Sequence, residues 1–199
     1  MIPFASQRGS GQDLATHLLN AYDNELAEVV DLRGAIAGDL HGAFKEWQVQ
    51  ADTLTRCEKY LYSLSINPDP AQGPLTRDQY LDYIRRTEDV LGLGDQPRAV
   101  VFHIKDGHEH CHVVWSRNDA GDEKAVHLAF DRDKLMRVTR GFARDHGLTL
   151  PAGYEKSRKV GQISLYEQAQ LRQTGLSKED HKRQVTEAWQ QSDDARSFL

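Results

Sequence analysis

The chain has 199 residues and a formal net charge of −5, with 28% charged and 39% hydrophobic residues. That balance fits one ordinary globular domain, or a domain with an appendage, and argues against nucleic-acid binding through overall charge. No apolar run approaches a membrane span, the N-terminus lacks a basic-then-apolar leader pattern, and Cys57 and Cys111 offer no disulfide framework; the expectation is a cytoplasmic protein without membrane insertion.

In chain order, Ser6 to Gly11 is a polar, glycine-bearing opening. Asp13 to Asn20 reads as a short helix with Leu14 and Leu18 on one face and His17 one turn from Asp13. Leu26 to Arg33 alternates loosely and reads as a strand ended by Gly34. Asp39 caps a helix to about Leu54, with Leu40, Phe44 and Trp47 on its apolar stripe. Lys59 to Ile66 alternates strongly and reads as a strand, and Asn67 to Pro74 as a loop. Thr76 caps a helix to about Leu91, with Tyr80, Tyr83, Ile84 and Val90 inward, and Gly92 stops it.

The densest chemistry follows. Arg98 to His103 is a β-branched, apolar strand, and His110 to Ser116 reads as a second one. Between them Asp106-Gly107 is hairpin-turn chemistry, because both residues tolerate positive φ. Four of the nine histidines fall within residues 103–112. His110 and His112 are two apart on a strand and share a face; His103 lies within reach on the partner strand. Three imidazoles converging beside a tight turn suit a divalent metal with an open coordination position. His108 falls in the turn and is expected in solvent. Cys111 points to the opposite face with Val113 and Trp115, as a core residue.

Beyond the hairpin, Asn118 to Lys124 is a turn, Ala125 to Ala129 a short strand, and Asp131 to about His146 a helix stopped by Gly147. The expected fold is α+β: a central antiparallel sheet carrying the three-histidine site, flanked by helices on one face. Residues 1–150 form that domain, with 17 Lys+Arg against 23 Asp+Glu. Residues 151–199 read as a helical extension, basic from Tyr154 to Val160 and helical over Ser164–Thr174 and Ser177–Ala195, truncated at its C-terminal end. No internal repeat is visible.

The pattern His103, Asp106, His110-x-His112 followed by Val-Val resembles the third motif of conjugative relaxases, the plasmid mobilisation nucleases of the HUH endonuclease superfamily. Leu14-x-x-His17-Leu, with Asn24-Glu25 and a strand after it, is similar to their first motif. Tyr60-x-Tyr-Ser-Leu-Ser65 and the helix-to-hairpin order also match. The resemblance covers roughly residues 1–150. It implies a nuclease that nicks one strand of single-stranded DNA at a transfer origin, stays covalently attached to the 5′ phosphate and later rejoins the strand. Other relaxosome or coupling proteins are its implied partners. Two positions depart from the pattern: many relaxases have tyrosine where this chain has His17, and Ser116 stands where asparagine is common.

The metal ligands implied are His103, His110 and His112, with Mn or Mg as the family's ion and Zn, Co or Ni also suited to three imidazoles. His17 and Tyr22 compete as nucleophile. On one helix they are separated by about 500°, so they face roughly 140° apart. Asp106 is a carboxylate for proton transfer or orientation, or else simply a turn residue before Gly107. Glu25 and Glu58 are weaker carboxylate candidates. Arg8, Arg33 and Arg117 are candidate phosphate contacts, Arg117 at the exit of the ligand strand. Two rivals remain: a non-catalytic, metal-containing DNA-binding accessory protein, and a cupin-like small-molecule metalloenzyme, whose fold would be nearly all strand.

Overall fold

A computed structural model describes residues 2–20, 24–151, 154 and 165–191. The chain divides into two compact units, Met1–Glu155 and Lys156–Leu199.

The first unit is built on a five-stranded antiparallel sheet in the order β1-β3-β5-β4-β2. Its strands are β1 Ile2–Arg8, β2 Leu26–Arg33, β3 Leu61–Asn67, β4 Arg98–Lys105 and β5 His108–Ser116. β5 lies at the centre, paired with β3 on one side and β4 on the other. The edges are β1 and β2, and a register shift between Val29 and Asp31 bends β2. Asn118–Asp119 and Lys124–Ala125 form a separate two-stranded ribbon, β6-β7. The expected strand over 125–129 is therefore only two residues long.

Four helices cover the sheet, on both faces rather than one. On one side α1, Gly11–Leu18, and α2, Leu40–Leu54, bury Leu14, Leu18, Phe44 and Trp47 against Leu61, Val101 and Val114. On the other, α3, Arg77–Leu91, and α4, Asp131–Asp145, bury Tyr80, Tyr83 and Phe142 against Tyr62, Phe102, Val113 and Trp115. Successive strand residues point to opposite faces, so the unbroken run Ala99-Val100-Val101-Phe102 supplies both cores.

The helix starts follow the local chemistry. Asp39 accepts from the Gly42 amide at 2.8 Å. Thr76 and Gln79 cap each other's backbone amides reciprocally. Gly92, at φ +70°, ends α3 in the left-handed conformation. Val90, expected inward, is 40% exposed. The buried stripe runs Tyr80, Tyr83/Ile84, Thr87, Leu91, and Val90 falls off it.

β1 runs into the polar, glycine-bearing opening, taking in Ser6 to Arg8. Its residues from Pro3 to Arg8 pair in register with Ile66 to Leu61. A proline and polar side chains suit an edge strand, whose outer amides need no partner.

In the second unit, α5 spans Leu165–Thr174 and α6 spans Lys178–Gln191. Gly175, at φ +70°, separates them, and the Ser177 hydroxyl accepts from the Asp180 amide at 3.1 Å to start α6. Expected features at residues 155–164 and 192–199 lie outside the described residues.

Candidate metal centre

The hairpin register assembles the site. His103 pairs directly with His110, and Val101 pairs with His112. Paired residues share a face, so all three imidazoles project on the α1/α2 side of the sheet. Asp106 and Gly107 form the turn with φ of +50° and +72°, the two positive angles a two-residue I′ connection requires. The Gly107 amide donates to the Glu25 carboxylate at 3.0 Å, pinning the turn to the start of β2.

The ring centroids of His103, His110 and His112 lie 4.7–5.2 Å apart. One nitrogen from each falls within 4.8 Å of the other two. His103 is 2% exposed, and its Nε2 is 2.7 Å from the Leu18 carbonyl oxygen. A carbonyl can only accept, so Nε2 carries the proton and Nδ1 keeps its lone pair for a metal. The same bond ties the C-terminal end of α1, where backbone carbonyls concentrate negative potential, to the metal seat.

Burial lowers the pKa of all three rings. His103 is lowered by burial first, with His17 adding repulsion. His110 is lowered by burial and then by His103. His112 is pushed down to about 3 by burial, then by His103, His110 and His17. All three are therefore neutral with lone pairs available, the state metal binding needs. The donor set fits a divalent ion.

The other expected site residues distribute unevenly. His17 is exposed in the last turn of α1, next to Leu18, near enough to influence both His103 and His112. Asp13 accepts from the Ser10 hydroxyl. Tyr22 lies outside the described residues. Asp106 is exposed and shares an open cleft of about 320 Å³ with Asn67, Pro68, Lys105, His108 and His110. Glu58 is exposed near Gly9, at the opposite end of the sheet. His108 is exposed, and Cys111 is wholly buried in the α3/α4 core, where burial raises its thiol pKa.

All three candidate arginines lie at the end of the sheet away from the histidines. Arg33 pairs with Arg98, and Arg8 with Leu61, which in turn pairs with Ser116 just before Arg117. Five residues of strand, roughly 17 Å, separate Arg98 from His103. Arg33 is ion-paired with buried Glu88 at 3.1 Å. Arg117 is 9% exposed and donates to Gln7, the Lys59 carbonyl and the Val126 carbonyl. Arg8 is exposed, with Nε donating to Ser6. The Leu18 carbonyl had no sequence signal, because a backbone acceptor carries none.

Residues 17–148 match the family described as "Relaxase: MobA/VirD2-like, nuclease domain". The chain belongs to this relaxase family. The matched stretch contains the whole histidine hairpin, within the relaxase nuclease domain, a DNA-nicking domain at family level. No curated protein and no solved structure matches the chain. Among the described residues of this relaxase, no helix is long and apolar enough to cross a membrane.

Proposed function

We propose that this relaxase is a metal-dependent, site- and strand-specific DNA endonuclease and strand transferase acting in the cytoplasm during conjugative plasmid mobilisation. It nicks single-stranded DNA at a transfer origin, holds the 5′ phosphate covalently and later rejoins the strand, alongside other relaxosome or coupling proteins. The observation that carries this reading is the set of three neutral imidazole donors within 4.8 Å of one another, beside an α1 whose end is bonded to one of them.

His103, His110 and His112 would hold the divalent ion, Mn or Mg by family, with Zn, Co or Ni compatible with three imidazoles. When bound, it supplies positive charge against the non-bridging oxygens of the scissile phosphate. His17 is the proposed nucleophile. A ring nitrogen lone pair attacks phosphorus, the bond to the 3′ oxygen breaks, and a phosphoramidate forms. The proton shed by the phosphorylated ring balances the one gained by the departing 3′ oxygen. Asp106, in the cleft it shares with His110, is the proposed carboxylate for that transfer. Rejoining reverses each step: the 3′ hydroxyl attacks phosphorus and the P–N bond breaks. Tyr22 is the alternative nucleophile, and Arg8, Arg33 and Arg117 are the proposed phosphate contacts, of which Arg8 is exposed, Arg33 part-exposed and ion-paired, and Arg117 buried.

The test uses the full chain, divalent ion and single strands tiled across the DNA adjoining its own coding sequence, with adducts mapped by mass spectrometry. His17→Ala should abolish cleavage while metal content survives, and Tyr22→Phe should still cleave. A histidine adduct is acid-labile and base-stable, whereas a tyrosine adduct survives mild acid. An acid-stable adduct on Tyr22 would overturn the nucleophile assignment; nicking of no strand at all would overturn the function.

A further inference from the structure

We infer that the exposed, metal-side face of β1 is the track along which the single strand runs, with Phe4 as a base-stacking platform. This rests on the relaxase reading and names chain residues that would hold the substrate beside the metal.

The sheet register carries the argument. Phe4 pairs with Ser65, Ser65 with His112, and His112 with Val101. These four residues form one row across the sheet and project on one face. Phe4 thus stands two strand spacings, about 10 Å, from a metal ligand. Further along the same strand, Ser6 pairs with Ser63 and Arg8 with Leu61, so β1 presents Phe4, Ser6 and Arg8 to the metal face. Phe4 to Arg8 spans roughly 13 Å of strand. Ala5, between them, packs into the opposite core.

Elsewhere this face is closed: Val101 in the same row, and Val114 in the row of Ser63, are buried under α1 and α2. Phe4 is 64% exposed. A phenylalanine left in solvent at the end of a row that starts from a metal ligand is a surface that awaits a flat apolar partner. The floor beside it is made of Ser65 and Asn67, part-exposed small polar side chains, with Asn67 donating to Ser65 at 2.9 Å; Ser63, further along the strand, is buried. Neither β1 nor β3 places a carboxylate on this face, in a chain whose net charge is −5. An aromatic face, hydroxyls and an exposed arginine without acids is the chemistry that takes an unpaired base and its phosphates. Duplex DNA keeps its base faces stacked on one another and has none to offer Phe4. The occupant is therefore single-stranded DNA, with one base on Phe4, the neighbouring phosphate at the histidines, and a phosphate further along at Arg8.

The test compares wild type, Phe4→Ala, Phe4→Trp and Phe130→Ala in the metal-loaded full chain. Phe130 is the control: it is 78% exposed and sits at the start of α4, on the opposite face of the sheet. The probe is a fluorescein-labelled, random-sequence 30-nucleotide single strand, and a bromodeoxyuridine-substituted copy is used for photocrosslinking. Phe4→Ala should weaken binding between about 5- and 150-fold, with melting temperature and metal content unchanged. Phe4→Trp and Phe130→Ala should bind as wild type does, and the crosslink should map to the tryptic peptide 1–8. If wild type binds and nicks single strands while Phe4→Ala binds equally well, the track is wrong and the relaxase reading stands. If wild type neither binds nor nicks any single strand, the relaxase reading fails and the track with it.

Discussion

Replacing His112 by alanine should change stability in opposite directions with and without metal. With metal, a site that binds only the folded chain stabilises it by mass action, about 2.7 kcal/mol when the free ion is at 100 times its dissociation constant. For a domain of this size that is a rise of roughly 5–11 °C in melting temperature. Removal of one of three imidazole donors should abolish most of that rise. Without metal, the His112 ring is held down at about 3 by burial and by its two neighbours, whereas an unfolded histidine titrates near its ordinary value. Between those values the unfolded chain binds a proton that the folded chain does not, so stability is full above the unfolded value and is lost as pH falls toward the folded one. At pH 5 the loss amounts to about 2 kcal/mol, from roughly 1.5 pH units at 1.36 kcal/mol each. His112→Ala lacks this liability. Scanning calorimetry in chelator should show the variant gaining about 2 kcal/mol on wild type between pH 7.5 and pH 5. With Mn at pH 7.5, wild type alone should shift upward. A variant that keeps the full metal-induced shift would refute the ligand assignment, and one that gains nothing at pH 5 would refute the lowered His112 titration.

Two further substitutions probe other parts of the structure. Glu88, 5% exposed, accepts from the Trp115 indole at 2.8 Å, from Arg98 at 2.9 Å and from Arg33 at 3.1 Å; because Arg98 keeps Asp31 and Arg33 keeps the Gln96 carbonyl, Glu88→Gln should remove about 1–3 kcal/mol in urea unfolding, and an unchanged stability would show the buried charge to be dispensable. Asp106→Asn tolerates the same positive φ, so melting should be unchanged; cleavage should slow about 100-fold or more if the carboxylate moves the proton, and an unchanged rate would leave Asp106 a turn residue alone.

The hairpin was legible in the sequence because every cue agreed: a β-branched strand, Asp-Gly at the turn, and histidines two apart. The capped helices α2 and α3 were legible for the same reason, since Asp39 and Thr76 act through contacts three residues away. β1 was not, because Pro3 and the polar run from Ser6 to Arg8 look irregular until an edge position makes sense of them. Coverage of both faces was missed although the run Ala99 to Phe102 carried its signature; unbroken apolar stretches belong to strands buried on two sides. The arginines illustrate the limit of local reading. Arg117 follows the ligand strand directly, yet antiparallel pairing sends it, with Arg8 and Arg33, to the other end of the sheet. Only the long-range register decides that, and no short window contains it.

The hydrogen bond from His103 to the Leu18 carbonyl joins residues 85 apart in the chain, whereas the three clustered histidines span ten residues of one hairpin. Closing a loop of that length costs on the order of 4 kcal/mol of chain entropy, against roughly 2 kcal/mol across the short hairpin. The histidine cluster is therefore a local structure and the placement of α1 a long-range one. In folding, the imidazoles can come together as soon as β4 meets β5, while His17 arrives only when α1 has docked. An insertion in the exposed stretch around Gly38 should accordingly slow the docking of α1 far less than lengthening the Asp106-Gly107 turn would disturb the cluster itself.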